Sequence, residues 1–336
     1  MSQQDALAGW IPLFLSERNN QRSVEWAYMG NERFTDPFCH DTLQRLASRP
    51  FNRLFRRQSD MELLRQRERM QPGLPLQGIV FHMSRCGSTL VSQWLTSLPD
   101  SVVLAEPEPL DTLLQWPTPE SDTTTIRALL AALGQPRRNN DRRLFLKTDC
   151  WHMVHIDRLL AAFPTTPWIF LYRDPLEVLV SHQRAPGWQL VPGVLAGHGL
   201  RAPAEVMTHP LGHGAWVLSV ILERAREALL KHSNGLLLNY SELTAALEDR
   251  LPQHFGIVPD AQDSANLRAV TARHAKQPQT EFKTDVAEKQ AAADDEVVAL
   301  AARWLDTPYR ALEQLRTDLA TSRRTMTGTA PYLTVP

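Results

Sequence analysis

Hydrophobic and polar positions along this chain alternate between two rhythms. Short continuous apolar runs bounded by turn residues, such as Ile79–Phe81, Val102–Ala105 and Trp168–Tyr172, read as buried strands. Between them lie stretches with the apolar spacing of an amphipathic helix. The pattern predicts strand 78–82, helix 88–98, strand 102–105, helix 108–115, a polar loop over 117–125, helix 126–133, strand 144–148, helix 154–163, strand 168–172 and helix 175–184. Strands joined by helical crossovers predict an α/β fold, a parallel sheet flanked by helices on both faces. Residues 185–213 are rich in Gly, Pro and His without periodicity, which predicts a lid or substrate loop. Helical character returns from Trp216 to Leu230 and dominates the C-terminal third.

The N-terminal part is patterned differently. Aromatics (Trp10, Trp26, Tyr28, Phe34, Phe38) give way to a basic stretch of Arg53, Arg56, Arg57, Arg65, Arg67 and Arg69 at near-helical spacing. That stretch reads as a solvated helix face, with an acidic partner as the other reading. Gln71-Pro-Gly-Leu-Pro75 is a linker signal. The expected organisation is an accessory segment over 1–72, an α/β domain over 73–325 and a tail over 326–336.

Gly78 to Leu90 joins a strand to a helix through a short polar loop, the geometry of an anion trap. The first helical turn has N–H groups without partners, and the helix dipole adds about half a positive charge there. Gly87 lets a ligand approach the backbone, Ser88 and Thr89 supply hydroxyls, and Arg85 supplies a cation with several donors. The loop is not a Walker A motif. His82 stands where the first glycine belongs, and Ser88 where the lysine belongs. On its own, Gly-Ser-Thr also serves as an ordinary helix cap. A second strand, Trp168–Tyr172, runs into Arg173-Asp174-Pro175, with Asp174 as cap and Pro175 in the first turn of the next helix. Arg173 then lies at the strand's C-terminal edge, where open α/β sheets bind ligands, and Ser181 two helical turns further on. An arginine and a serine so placed grip one phosphate, or the Arg–Asp pair merely pins a loop.

Taken together, the two segments resemble the sulfotransferases that use 3′-phosphoadenosine 5′-phosphosulfate (PAPS). The resemblance implies that Arg85-Cys86-Gly87-Ser88-Thr89 cradles the 5′-phosphosulfate and that Arg173 and Ser181 hold the 3′-phosphate. It runs from about Gln77 to Tyr309 and includes Leu236–Leu243, similar to the family's late strand but with Ser241 displacing the usual acid. The loop is most similar to the tyrosylprotein and carbohydrate enzymes, and that likeness implies Glu106, just after the second strand, as the base, with Glu108 close by. Lys147 resembles the family lysine near the transferring group. Lys147-Thr148 is followed by Asp149, not by the catalytic histidine of the cytosolic small-molecule enzymes, so Asp149 and His152 stay open as alternatives. Glu106 and Asp149 also have plain readings as helix caps. Lys276 and Lys283 resemble a basic loop that closes over the nucleotide. The implied activity is transfer of a sulfuryl group from PAPS to a hydroxyl or amine of a small molecule, glycan, lipid or peptide, without a metal.

Composition changes this picture little. At 336 residues, with 36 Lys+Arg against 37 Asp+Glu, the net charge of −1 suggests neither a nucleic-acid nor a membrane-surface role. Three cysteines form no disulfide framework or zinc pattern, though Cys86 at a helix N-terminus is expected to have a lowered pKa. A phosphatase would need an arginine six residues after it, where Ser92 stands, and no Gly-x-Ser-x-Gly elbow indicates a hydrolase. His209 and His213 have metal-like spacing but imply no third ligand. Trp10–Leu15 is too short, and interrupted by proline, for a signal peptide, and no apolar run is long enough to span a bilayer; the expectation is a cytoplasmic protein. The rival readings are a divergent kinase or NTPase with Asp149 or Asp174 on magnesium, and a non-catalytic binding protein.

Overall fold

The computed structural model describes residues 7–116, 122–271, 273–274, 277–281 and 286–327. Strands β1 (Trp10–Arg18), β2 (Gln21–Tyr28) and β3 (Arg57–Asp60) form an antiparallel sheet. Asn19 and Asn20, at φ 51° and 61°, make the β1–β2 turn, the left-handed pair that a two-residue hairpin needs. Helices α1 (Cys39–Ser48), α2 (Pro50–Leu54) and α3 (Met61–Met70) complete this part. The basic stretch is not one solvated face. Arg67 is buried, donating to the carbonyls of Trp10 and Leu7, while Arg65 and Arg69 bond Glu62. Burial of Arg67 is compensated by those two carbonyls and by the Trp26 ring beneath its guanidinium.

Five parallel strands form the central sheet: β4 (Leu76–His82), β5 (Ser101–Ala105), β6 (Arg143–Lys147), β7 (Trp168–Tyr172) and β8 (Gly235–Asn239), in the order β5-β6-β4-β7-β8. The α/β reading holds. Ile79, Val80, Phe81, Trp168, Ile169 and Phe170 are all fully buried, as strands covered on both faces require. The flanking helices are α4 (Ser88–Ser97), α5 (Glu108–Gln115), α6 (Asp122–Leu133), α7 (Ile156–Ala162), α8 (Pro175–Arg184) and α9 (Pro210–Lys231). Before α7 the chain makes a 3₁₀ turn over Cys150–His155, and α9 begins at Pro210, earlier than its apolar pattern suggests, because His209 caps it by accepting from Gly212 N–H. The 185–209 connection folds into three short 3₁₀ turns. One continuous set of buried apolar residues runs from Leu7 through the sheet to Leu312.

Register decides where the site lies. Val80 of β4 stands opposite Lys147 of β6 on one side and Ile169 of β7 on the other, and Ala105 of β5 stands opposite Lys147. The four strands therefore end together, and the segments starting at Met83, Glu106, Thr148 and Arg173 leave from one edge of the sheet. After β4 the chain adds β5 and β6 on one side of it and then β7 and β8 on the other, so this edge is the switch-point crevice of a doubly wound sheet.

Candidate active site

Two adjoining cavities open at that edge. The larger, about 590 Å³, is lined by the loop from Ser84 to Thr89, by Glu106, Asp149 and Trp151, by Arg173, Ser181, His182 and Arg184, and by Trp188, Tyr240 and Lys289. The smaller, about 380 Å³, shares Phe38, Glu106, Asp149, Trp151 and Trp188 with it and continues past His40, Glu108, Asp111 and His198. Of the residues singled out from the sequence, the loop from Arg85 to Thr89, Glu106, Asp149, Arg173 and Ser181 line the larger cavity, Glu108 lines only the smaller, and His152 lines neither. Lys147 lies fully buried at its edge, and Lys276 and Lys283 lie outside the described residues.

The loop is shaped by its backbone. Ser84, Arg85 and Gly87 all have positive φ (85°, 51° and 87°), which curls the chain around the N-terminus of α4. Gly87 could not be another residue: a Cβ there would lie 2.7 Å from Leu243 and 3.0 Å from the Tyr240 ring. Arg85 is half-buried and donates to the Ala185 carbonyl at 2.6 Å, tying the loop to the start of the 185–209 connection. Cys86 corrects an expectation. Its side chain turns inward, away from any ligand, and donates to the Leu171 carbonyl; burial pushes the thiol up to about 11, against the helix end that would lower it.

Arg173 and Ser181 share one wall. The guanidinium lies 4.1 Å from the centre of the Tyr240 ring and bonds Glu177 at 2.5 Å, a buried i,i+4 pair. Asp174 caps α8 by accepting from Leu176 and Glu177 N–H, so its carboxylate is committed to the backbone. Arg184 and Lys289 add two further cations to this cavity.

On the opposite wall, Lys147 donates to Glu106 while its ammonium faces the Phe38 ring. Glu106 holds φ +54°, a strained conformation for a residue with a Cβ, and its N–H donates to the Lys147 carbonyl at 2.7 Å. Burial alone would raise the Glu106 carboxyl; Lys147 and then His82 outweigh it and hold the group down at about 2. Asp149 moves the other way. Burial and the charges of Glu106 and Asp111 push its carboxyl well up, toward the neutral form.

Below the smaller cavity, Asp111 collects donors. Its Oδ1 takes Trp151 Nε1 at 2.7 Å, His152 Nε2 at 2.8 Å and His198 Nε2 at 3.1 Å, and its Oδ2 takes Gln115 at 2.8 Å. The geometry groups Asp111, His152 and His198 as a possible metal cluster, but the hydrogen bonds assign the protons differently. His152 Nδ1 accepts from Asp149 N–H, so its Nε2 carries the hydrogen. His155 Nδ1 faces Arg158, so its Nε2 donates to His198 Nδ1 at 3.1 Å, which leaves His198 Nε2 protonated toward Asp111. Both nitrogens turned to Asp111 are therefore donors and unavailable to a cation. The same assignment takes His152 out of contention as a base. His209 and His213 also serve the fold: one caps α9, and the other meets the Gln189 carbonyl.

Several lining residues escaped the sequence reading. Asp111 falls three residues after Glu108 on one helix and was not singled out with it; Phe38 and His40 sit in the N-terminal segment, and Trp188 and His198 in an aperiodic loop, where nothing marks them.

No family model matches the chain, and no curated protein matches it. Among solved structures, it is similar to sulfotransferase STF9 from Mycobacterium avium, at 16% identity and TM-score 0.43, covering 74% of this chain and 81% of that one. It is similar to sulfotransferase STF1 from Mycobacterium tuberculosis H37Rv, at 14% identity and TM-score 0.46, covering 73% and 82%. Mouse sulfotransferase SULT7A1, complexed with PAP, gives 14% identity and TM-score 0.37 over 76% and 94%. All three are sulfotransferases, the family that the two motifs resemble. With these identities and TM-scores the likeness is one of fold, and the functional reading rests on the cavity.

Proposed function

We propose that the chain is a PAPS-dependent sulfotransferase. The observation that carries this reading is the meeting, in one cavity, of the loop Ser84–Thr89 with the wall of Arg173 and Ser181. One end offers backbone N–H groups, hydroxyls and Arg85 to a phosphosulfate; the other offers a planar fork and a hydroxyl to a separate phosphate. A nucleotide phosphorylated at both 3′ and 5′ positions calls for two separate anion sites of this kind, whereas a triphosphate calls for one. Asp174 does not line this cavity and accepts from the first turn of α8, so it is not placed to hold a magnesium ion on phosphates there.

Sulfuryl transfer passes SO₃ in line from the phosphosulfate to the acceptor. In this reading Arg85 and the first turn of α4 neutralise charge growing on the leaving phosphate. Glu106 takes the acceptor proton, and Lys147, now paired to Glu106, turns toward the transferring group as the acceptor hydroxyl replaces it on the carboxylate. Lys289, from the helix Val286–Ala291, stands at the nucleotide end, a place the sequence reading gave to Lys276. Incubation with ³⁵S-labelled PAPS and fractionated cell extract should move label to an acceptor with one 3′,5′-ADP released per sulfate. Tight binding of PAPS with no label transferred to any fraction would refute the enzymatic reading.

A further inference from the structure

The two cavities differ in charge. The larger is lined by Arg85, Arg173, Arg184 and Lys289. Among the described residues no lysine or arginine lines the smaller; its walls carry the carboxyl groups of Asp41, Glu108 and Asp111 besides Glu106 and Asp149, which both cavities share. Of these, the Glu106 charge is balanced by buried Lys147. His40 bonds Glu108 at 2.5 Å, and Asp111 is met by N–H groups of Trp151 and His152, with His198 also against it. Burial and the fields of Glu106, Asp111 and Glu108 together drive up the neighbouring Asp149 carboxyl, a sign that the potential here is negative.

The acids are also laid out in line. Glu108 and Asp111 begin α5, two and five residues after Glu106, so they rise along one helix face by about 1.5 Å per residue away from the carboxylate that faces the acceptor. The aromatic rings of Phe38, Trp151 and Trp188, with Val194 and Leu195, make its apolar walls. A cavity of about 380 Å³ with flat apolar walls, a reacting end at Glu106 and acids about half a turn and one and a half turns beyond it matches one chemistry.

We propose that the smaller cavity is the acceptor site and that it selects a small hydroxylated amine, with the hydroxyl at Glu106 and the ammonium between Glu108, Asp111 and the aromatic walls. This deepens the sulfotransfer reading and rests on it. In the step itself the acceptor oxygen forms a bond to sulfur, its proton passes to the Glu106 carboxylate, and the sulfur–oxygen bond to the nucleotide phosphate breaks with the electron pair leaving on 3′,5′-ADP. Acceptors bearing sulfate, phosphate or carboxylate near the hydroxyl are repelled by the same walls.

The test uses three phenols of one shape on the full chain: tyramine, 4-ethylphenol and 4-hydroxyphenylacetate. Binding is measured calorimetrically with and without saturating 3′,5′-ADP, and the affinity for 3′,5′-ADP is measured separately. Tyramine should bind at least about tenfold more tightly than 4-ethylphenol, the value of one partly desolvated charge pair, and 4-hydroxyphenylacetate more weakly than either. In Glu108→Gln/Asp111→Asn the tyramine preference should collapse toward the neutral phenol, with 3′,5′-ADP affinity, the sign that the fold and the nucleotide cavity are intact, unchanged. Equal binding of tyramine and 4-ethylphenol, no binding of tyramine, or a preference surviving that double substitution, overturns the proposal. Failure of the underlying reading looks different: 3′,5′-ADP does not bind, whatever the phenols do.

Discussion

Lys147 donates to Glu106, and Glu106 receives it from a backbone at φ +54°. The pair sits where the nucleotide cavity and the acidic cavity meet, so its geometry serves both. The residue after β5 must turn sharply to bring its carboxylate under the lysine that ends β6, and the left-handed backbone makes that turn.

Replacing Glu106 with Gln keeps the shape and removes the proton acceptor. Turnover should fall by about 10²–10⁴, while 3′,5′-ADP affinity stays at the wild-type value in calorimetry. Full activity in Glu106→Gln would remove this residue as the base and turn attention to Glu108.

The strain at Glu106 is measurable apart from its charge. Both Glu106→Ala and Glu106→Gly strand Lys147, but only glycine accepts positive φ without cost. Urea unfolding should find Glu106→Gly more stable than Glu106→Ala by about 1 kcal/mol, the reverse of the ordinary order for these residues.

At the nucleotide end, Ser181→Ala removes one hydroxyl from a helix face and should weaken 3′,5′-ADP binding by about 0.5–1.5 kcal/mol with an unchanged unfolding midpoint. Arg173→Ala should weaken it by about 1.5–3 kcal/mol and also destabilise the fold by about 3–5 kcal/mol, because Glu177 stays buried without its cation and keeps only the Gln290 amide. Adding Glu177→Gln to Arg173→Ala should recover stability without recovering nucleotide affinity.

His155 makes acid stability a readout of the network beneath the acceptor cavity. Burial, then the neighbouring imidazoles, lower it from 6.5 to about 3, so between those values the unfolded chain takes up a proton that the folded chain refuses. Its contribution is complete above about pH 6.5 and is lost as pH falls toward 3. The urea midpoint of His155→Gln should decline less steeply than wild type over that range; parallel curves would show that His155 titrates normally in the fold.

What the sequence disclosed follows from where its signals are local. Buried strands such as Trp168–Tyr172 are continuous apolar runs, and the helix Pro175–Arg184 starts with its own cap and proline, so both were legible to the residue. The same holds for Arg173, the residue after a strand, and for Arg85, three residues beyond one. The hairpin at Asn19-Asn20 was legible in principle, from two turn-forming residues between extended stretches, and was missed among the aromatics. Cys86 was misjudged because helix position is visible in sequence while the direction of its side chain, toward Leu171, is not. Asp111 and His198 were out of reach for the same reason: residues 87 positions apart meet only once α5 and the 185–209 connection are packed together.

The central claim is that this cavity holds a nucleotide with separate 3′ and 5′ phosphate groups. Thermal unfolding with 3′,5′-ADP in the absence of metal, against ATP with Mg²⁺, tests it most directly. The account predicts that 3′,5′-ADP at one hundred times its dissociation constant stabilises the chain by about 2.7 kcal/mol, and that Ser181→Ala and Arg173→Ala reduce the shift at fixed concentration. Stabilisation by ATP–Mg²⁺ with none by 3′,5′-ADP would contradict it.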